Sequence, residues 1–150
     1  MSVKQTLPSD FPTPSWFEYS IRVYPHHTDY AGIVWHGAYV QWLEAARVEC
    51  LQSWGLTYND LVEQGCSLPV VDLSIQYHRP LLMGMDALVC AWLRPPKKLR
   101  LQWDYAIRSG DRQTLYTTAT ITLVPVDRQG KLMRQLPPIL QDILNSYCTS

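Results

Sequence analysis

One long amphipathic helix, set among segments that read as strands, most constrains what this chain can fold into. Tyr39, Leu43, Ala46, Cys50 and Trp54 recur at steps of three and four residues, with Trp42 beside them and Gln41, Glu44 and Gln52 on the opposite side. That spacing makes one apolar face on a helix of about four turns. Gly55 fits its C-terminal end. Before it, Phe17, Tyr19, Ile21 and Val23 alternate with Glu18, Ser20 and Arg22, the period of a half-buried strand, which Pro25 ends. A shorter helix is expected over Tyr58 to Gln64, stopped by Gly65.

The rest reads mostly as strand. Val71, Leu73, Ile75 and Tyr77 alternate with Asp72, Ser74 and Gln76. Residues 87 to 93 are almost wholly apolar, as in a central strand. Leu99 to Ile107 alternate cleanly, and Leu115, Ala119, Ile121 and Leu123 form one face of a last, Thr-rich strand. Ser109-Gly110-Asp111 joins these two as a hairpin. A final short helix is expected from Pro138, with Ile139, Leu140, Ile143, Leu144 and Tyr147 on one face. One helix cannot cover five strands completely. The economical solution is an α+β domain whose single antiparallel sheet curls around the helix, leaving the outer face of the sheet partly free for other subunits.

At 150 residues and 47% hydrophobic, the chain has the material for one domain with a sizeable core. The first 16 residues are rich in Pro, Ser and Thr and read as a flexible arm, with the domain over 17–150. Thirteen basic and 13 acidic residues balance to zero, which argues against a nucleic-acid partner drawn by whole-molecule charge. No apolar run approaches the roughly 20 residues of a membrane span. Cys50, Cys66, Cys90 and Cys148 are widely spaced, with no C-x-x-C pair. A zinc knuckle is therefore not expected, and free thiols in a reducing cytoplasm are.

The chemistry concentrates between residues 29 and 47. Asp29 ends a strand-like stretch, a glycine-containing loop follows, and the long helix begins. A carboxylate thus stands beside the free N–H groups of a helix start. It is readable as a plain turn residue or N-cap. It is also readable as a base beside backbone donors able to hold an oxyanion, a minimal kit for acyl transfer. His36 offers either an imidazole or its backbone amide. The amide is the preferred role, because a helix start supplies a donor whatever the side chain. His26, His27 and His78 read as surface or packing residues. Glu44 and Arg47, one turn apart, are placed to pair, and Glu44 and Glu49 are rival bases. A second feature is Arg94-Pro95-Pro96-Lys97-Lys98-Leu99-Arg100, with four cations and no acid in a turn. It reads as a solvated hairpin or as a grip for phosphates.

Thr28-Asp29, Ala31 to His36, Tyr39, Trp42, Glu44 with Arg47, Pro69-Val70-Val71 and Tyr77 to Pro80 together resemble the 4-hydroxybenzoyl-CoA thioesterase family of the hotdog fold. The resemblance covers about residues 17 to 127. It implies an acyl-CoA thioesterase that uses Asp29 as base or nucleophile and the helix-starting amide of His36 as oxyanion donor. It implies no metal and no cofactor, coenzyme A being part of the substrate. It implies CoA phosphate contacts spread over Arg94, Lys97, Lys98 and Arg100, and a homodimer or homotetramer with the site at a subunit interface. Trp92 or Tyr116 would enter a second interface. Tyr30, Trp35 and Tyr39 would favour an aryl-CoA such as hydroxybenzoyl- or 1,4-dihydroxy-2-naphthoyl-CoA, or else pack the helix. A hotdog hydratase or dehydratase fits less well, since Asp29 and His36 are seven apart with no Asn-Pro segment. A non-catalytic acyl-CoA-binding hotdog would keep the basic turn but need no Asp at position 29.

Overall fold

The structure is a computed structural model that describes residues 16–148. Its elements are β1 (Phe17–Arg22), a 3₁₀ turn (Pro25–His27), α1 (His36–Ser53), α2 (Tyr58–Glu63), β2 (Val70–Tyr77), β3 (Asp86–Leu93), β4 (Leu101–Ser109), β5 (Leu115–Leu123) and α3 (Pro138–Tyr147). The expected α+β arrangement is present. Every strand pair is antiparallel, and the sheet order is β1-β3-β4-β5-β2. The arm expected over residues 1–16 lies outside the described residues except for Trp16. Trp16 is buried and stacks on Trp92, with ring centroids 6.4 Å apart. Tyr116 is half-buried and packs against the main core.

The inner face of the sheet and α1 make that core. Leu101, Trp103, Tyr105 and Ile107, at alternate positions of β4, meet Tyr39, Leu43, Ala46 and Cys50 of α1 in one apolar cluster. Leu43 and Ala46 are fully buried. A large side chain such as Leu43 contributes about 1.5–3 kcal/mol by leaving water. α1 stops where Gly55, at φ +91°, takes a left-handed conformation. The Gly55 N–H then donates to Gln52 O and the Leu56 N–H to Leu51 O, both at 3.0 Å, which satisfies the last carbonyls. α2 opens on a reciprocal cap: Asp60 N–H donates to Thr57 Oγ1 and Thr57 N–H to Asp60 Oδ2.

The register gives the sheet two distinct ends. Arg22 opposite Asp86, Ala87 opposite Ser109, and Tyr77 opposite Thr117 mark one. Leu93 opposite Trp103, and Leu101 and Val70 both opposite Leu123, mark the other. The loops after β1 and after β2 leave from the first end. The β3–β4 turn leaves from the second. β2 pairs only with β5, and its other edge is bare. Val70, Val71, Leu73 and Tyr77 are exposed for that reason, despite their clean strand pattern.

Candidate active site

The segment joining β1 to α1 is a tight turn held by Asp29. Its Oδ1 accepts the N–H groups of Ala31 at 2.8 Å and Ile33 at 3.2 Å. The Asp29 N–H donates to Ile33 O at 2.8 Å, and the Gly32 N–H returns to Asp29 O. Gly32 sits at φ +78°, where a Cβ would strain the backbone. The turn is fastened from outside as well. Val34 N–H donates to Leu81 O, Met83 N–H to Gly32 O, and Trp35 N–H to His27 O. A Thr28–Val34 bridge closes the loop, so Asp29 stands beside the residues that start α1. The turn role and the catalytic role are compatible, since Oδ2 accepts no hydrogen bond among the described residues.

α1 begins without a cap. Trp35 at its N-cap makes no side-chain hydrogen bond, and the first turn holds no acid. The His36 and Gly37 N–H groups donate to no protein acceptor among the described residues. These donors and the helix dipole favour negative charge at this point. The Trp35 indole lies over Gly37, where a Cβ would collide with its six-membered ring. Trp35 also meets the His36 ring edge-on at 5.5 Å.

A cavity of about 390 Å³ opens beside this start. Ile33 and Val34 of the turn and His36 and Tyr39 of α1 form one wall. Tyr77, His78, Arg79 and Pro80 form the other. Tyr39 meets Tyr77 edge-on at 4.9 Å and Trp42 at 5.7 Å. Burial pushes the Tyr39 phenol up, so its hydroxyl stays neutral. Tyr30 is fully exposed and Trp35 half-exposed. His78 shares a 2.9 Å hydrogen bond with Thr118. His27 packs against Trp42.

The basic turn divides. Arg94 is held in a two-bond ion pair with the buried Asp104, Nη2 to Oδ1 at 2.8 Å and Nε to Oδ2. Thr120 donates to the same carboxylate. Lys97, Lys98 and Arg100 are exposed. They leave from the far end of β3, and the seven residue steps from Asp86 to Leu93 span roughly 23 Å. Within one chain the structure therefore sets the Asp29 turn and Trp35 beside the start of α1, puts His36 and Tyr39 on the cavity wall, and leaves the basic turn at the other end of the sheet. Arg79, a cation on the cavity wall, was not singled out from the sequence. Its signal was position, immediately after β2 at the Asp29 end. Glu44 and Arg47 form no ion pair.

Among the described residues, no group of three or more His, Cys, Asp or Glu side chains is placed to hold a metal ion. Burial pushes the thiols of Cys50 up to about 12 and of Cys90 and Cys148 up to about 11, which makes them poor nucleophiles.

The family model of the thioesterase-like superfamily matches residues 23–146. The chain is 48% identical over 133 residues to sll0410 of Synechocystis sp. (strain ATCC 27184 / PCC 6803 / Kazusa), provisionally designated an esterase, covering 88% of this chain and 80% of that one. It is 32% identical over 110 residues to YneP of Bacillus subtilis (strain 168), provisionally designated an acyl-CoA thioesterase, covering 73% and 79%. Its fold matches the crystal structure of Slr0204, a 1,4-dihydroxy-2-naphthoyl-CoA thioesterase from Synechocystis, with a TM-score of 0.80 at 26% identity, covering 90% and 99%. The chain belongs to the thioesterase-like superfamily and is a thioester hydrolase of the hotdog fold.

Proposed function

We propose that this chain hydrolyses an acyl- or aryl-CoA thioester to the free acid and coenzyme A, with Asp29 as the base or nucleophile. The observation that carries the reading is the pairing of the Asp29 turn with an uncapped helix start. Water is a poor nucleophile at neutral pH, and a positioned base contributes about 10²–10⁴ in rate. The amide of His36 receives the negative charge that develops on the carbonyl oxygen, and one such donor is worth about 3–4 kcal/mol in the transition state. A thioester is already activated, so neither a Ser-His-Asp triad nor a metal is required. The four unbonded thiols suit a reducing cytoplasm. The Tyr39 and Tyr77 rings along the cavity suit a flat aryl group.

The bare β2 edge supports a dimer in which two copies join β2 to β2. Antiparallel joining sets the basic-turn end of one copy beside the Asp29 end of the other. Lys97, Lys98 and Arg100 of the second copy then face the CoA phosphates at the first copy's site, which they are too distant to serve in their own chain. The deciding experiment is Asp29→Asn, assayed by CoA release from a panel of acyl-CoA thioesters. Asparagine keeps the Oδ1 acceptor that holds the turn, so the fold should survive while kcat falls by about 10² or more. Near-normal turnover by folded Asp29→Asn would move the chemistry to Glu44, Glu49 or the His36 imidazole.

A further inference from the structure

The cavity beside the start of α1 carries one fixed charge that has no part in the hydrolysis itself. Ile33, Val34, Tyr39, Tyr77 and Pro80 give it mostly carbon walls, and none of the described residues that line it is an Asp or Glu. Arg79 is the one arginine or lysine among them. The chain neutralises other arginines within itself: Arg22 holds Asp86, Arg94 holds Asp104 and Arg112 holds Glu18. The Arg79 guanidinium has no ion-pair or hydrogen-bond partner among the described residues.

The backbone sets Arg79 in place. The N–H groups of His78 and Arg79 both donate to Tyr116 O, at 2.8 and 3.1 Å. Pro80 follows, which keeps residue 79 out of the helical conformation. The strand alternation runs on past the end of β2. Ile75 packs on the main core, Tyr77 meets Tyr39 of α1, and His78 turns the other way to share its 2.9 Å bond with Thr118. Residue 79 returns to the α1 side and lines the cavity across from His36 and Tyr39.

The chemistry of a CoA thioester says which anion this cation meets. The thioester carbonyl lies at the start of α1. On one side of it is the pantetheine arm, which carries amides and a hydroxyl and no charge until the phosphates at its far end. On the other side is the acyl group. An anion held inside this cavity, close to the carbonyl, therefore belongs to the acyl group. A carboxylate is the anion whose two oxygens match the guanidinium fork. The unfilled N–H groups of α1 add positive potential on the opposite wall. Arg79 is exposed, so water solvates it while the cavity is empty or holds a neutral acyl group. Selectivity thus comes from a bond gained by a carboxylated acyl group and not from a penalty on the others.

We propose that Arg79 gives this site a preference for monothioesters of dicarboxylic acids, by holding the free carboxylate at the end of the acyl group remote from the thioester. This rests on the thioesterase reading above and deepens it. The test is a matched pair, 4-carboxybenzoyl-CoA and 4-methylbenzoyl-CoA, whose rings suit the Tyr39 and Tyr77 walls equally. The wild type should prefer the carboxylated thioester by about fivefold or more in kcat/KM, the scale of one charge-assisted hydrogen bond discounted for solvent exposure. Arg79→Gln, at an exposed position, should bring the ratio close to one, and Arg79→Glu should take it below one by repulsion. A wild-type ratio of one or less, or a full preference retained in folded Arg79→Gln, would overturn the proposal. Pantetheine thioesters of the same two acids separate an acyl subsite from a contact with CoA phosphate. The preference and its loss in Arg79→Gln should persist without the nucleotide. A defect in Arg79→Gln that is equal for both acyl groups and confined to the CoA thioesters would make Arg79 a phosphate contact and sink the proposal. Calorimetry with free terephthalate and 4-methylbenzoate tests the subsite apart from hydrolysis. A protein that turns over neither thioester but binds terephthalate several-fold more tightly, with the difference lost in Arg79→Gln, would sink the hydrolase assignment and keep the subsite. Equal binding of both acids would sink the subsite.

Discussion

Oδ1 of Asp29 is spent on the turn, which leaves Oδ2 for the proposed role as base or nucleophile. The same division frames His36, whose amide and imidazole make different predictions. If the amide is the oxyanion donor, His36→Phe should retain most activity, because the helix still starts there. If the imidazole shuttles a proton, the loss should be about 10² or more. A folded, dimeric His36→Phe protein without thioesterase activity would refute the backbone role. His27 makes a pH prediction. Its Nδ1 accepts the Tyr24 N–H at 2.9 Å, and its carbonyl holds Trp35 at the helix start. Burial, with His26 adding to it, lowers its pKa below the ordinary 6.5. The folded state therefore favours neutral His27. Its contribution is present above about pH 6.5 and is lost as pH falls through the lowered folded value. Thermal unfolding followed from pH 8 to pH 5 should show Tm falling on the acid side. In His27→Asn that acid-side fall should be shallower, and an unchanged slope would remove His27 as a contributor.

At the scale of elements, the β3–β4 turn is the sharpest case. Its composition suits phosphate binding, and its Arg94 is committed to Asp104 on the neighbouring strand. Lys97 and Lys98 stay exposed, with Lys98 held at φ +58°. If they grip CoA phosphates from a second copy, replacing both by Ala should raise KM several-fold with little change in kcat, because phosphates bind alike in ground and transition states. The defect should shrink on a short pantetheine thioester that lacks the nucleotide. An equal defect on both substrates would make them solvated bystanders. α1 shows the opposite balance. Its length, C-terminal glycine and apolar face were readable because each is a local property of the chain. Its start at His36 lies three residues before the first periodic apolar residue, Tyr39, since His36 and Gly37 are not part of its buried face.

For the whole molecule, the edge of β2 decides most. An exposed strand with Val70, Val71 and Leu73 on it invites pairing with another chain. Val71 falls at the register shift between Val70 and Asp72, opposite no residue of β5. Val71→Lys should therefore leave the subunit folded but shift dimer to monomer in analytical ultracentrifugation. If the proposed dimer carries the second copy's basic turn to each site, activity should fall with dissociation. A wild type that is monomeric at assay concentration and fully active would end that account.

What the sequence determined by itself is what sits close along the chain: the alternation of the strands, the period of α1, the Asp29 turn with Gly32, and the succession of one strand, one long helix and four further strands that points to this sheet. These follow from backbone geometry and from apolar residues repeating at the period of their own element. What only the tertiary structure decided joins residues far apart. Arg47 reaches Tyr105 across 58 positions, and Arg94 is tied to Asp104 of the neighbouring strand. Arg79 joins His36 at one cavity, and the basic turn lies a strand's length from Asp29. Each of these depends on the strand order β1-β3-β4-β5-β2 and on which end of the sheet a loop leaves. Local periodicity leaves both open, because β2 alternates as cleanly as β4 and yet lies exposed at the edge.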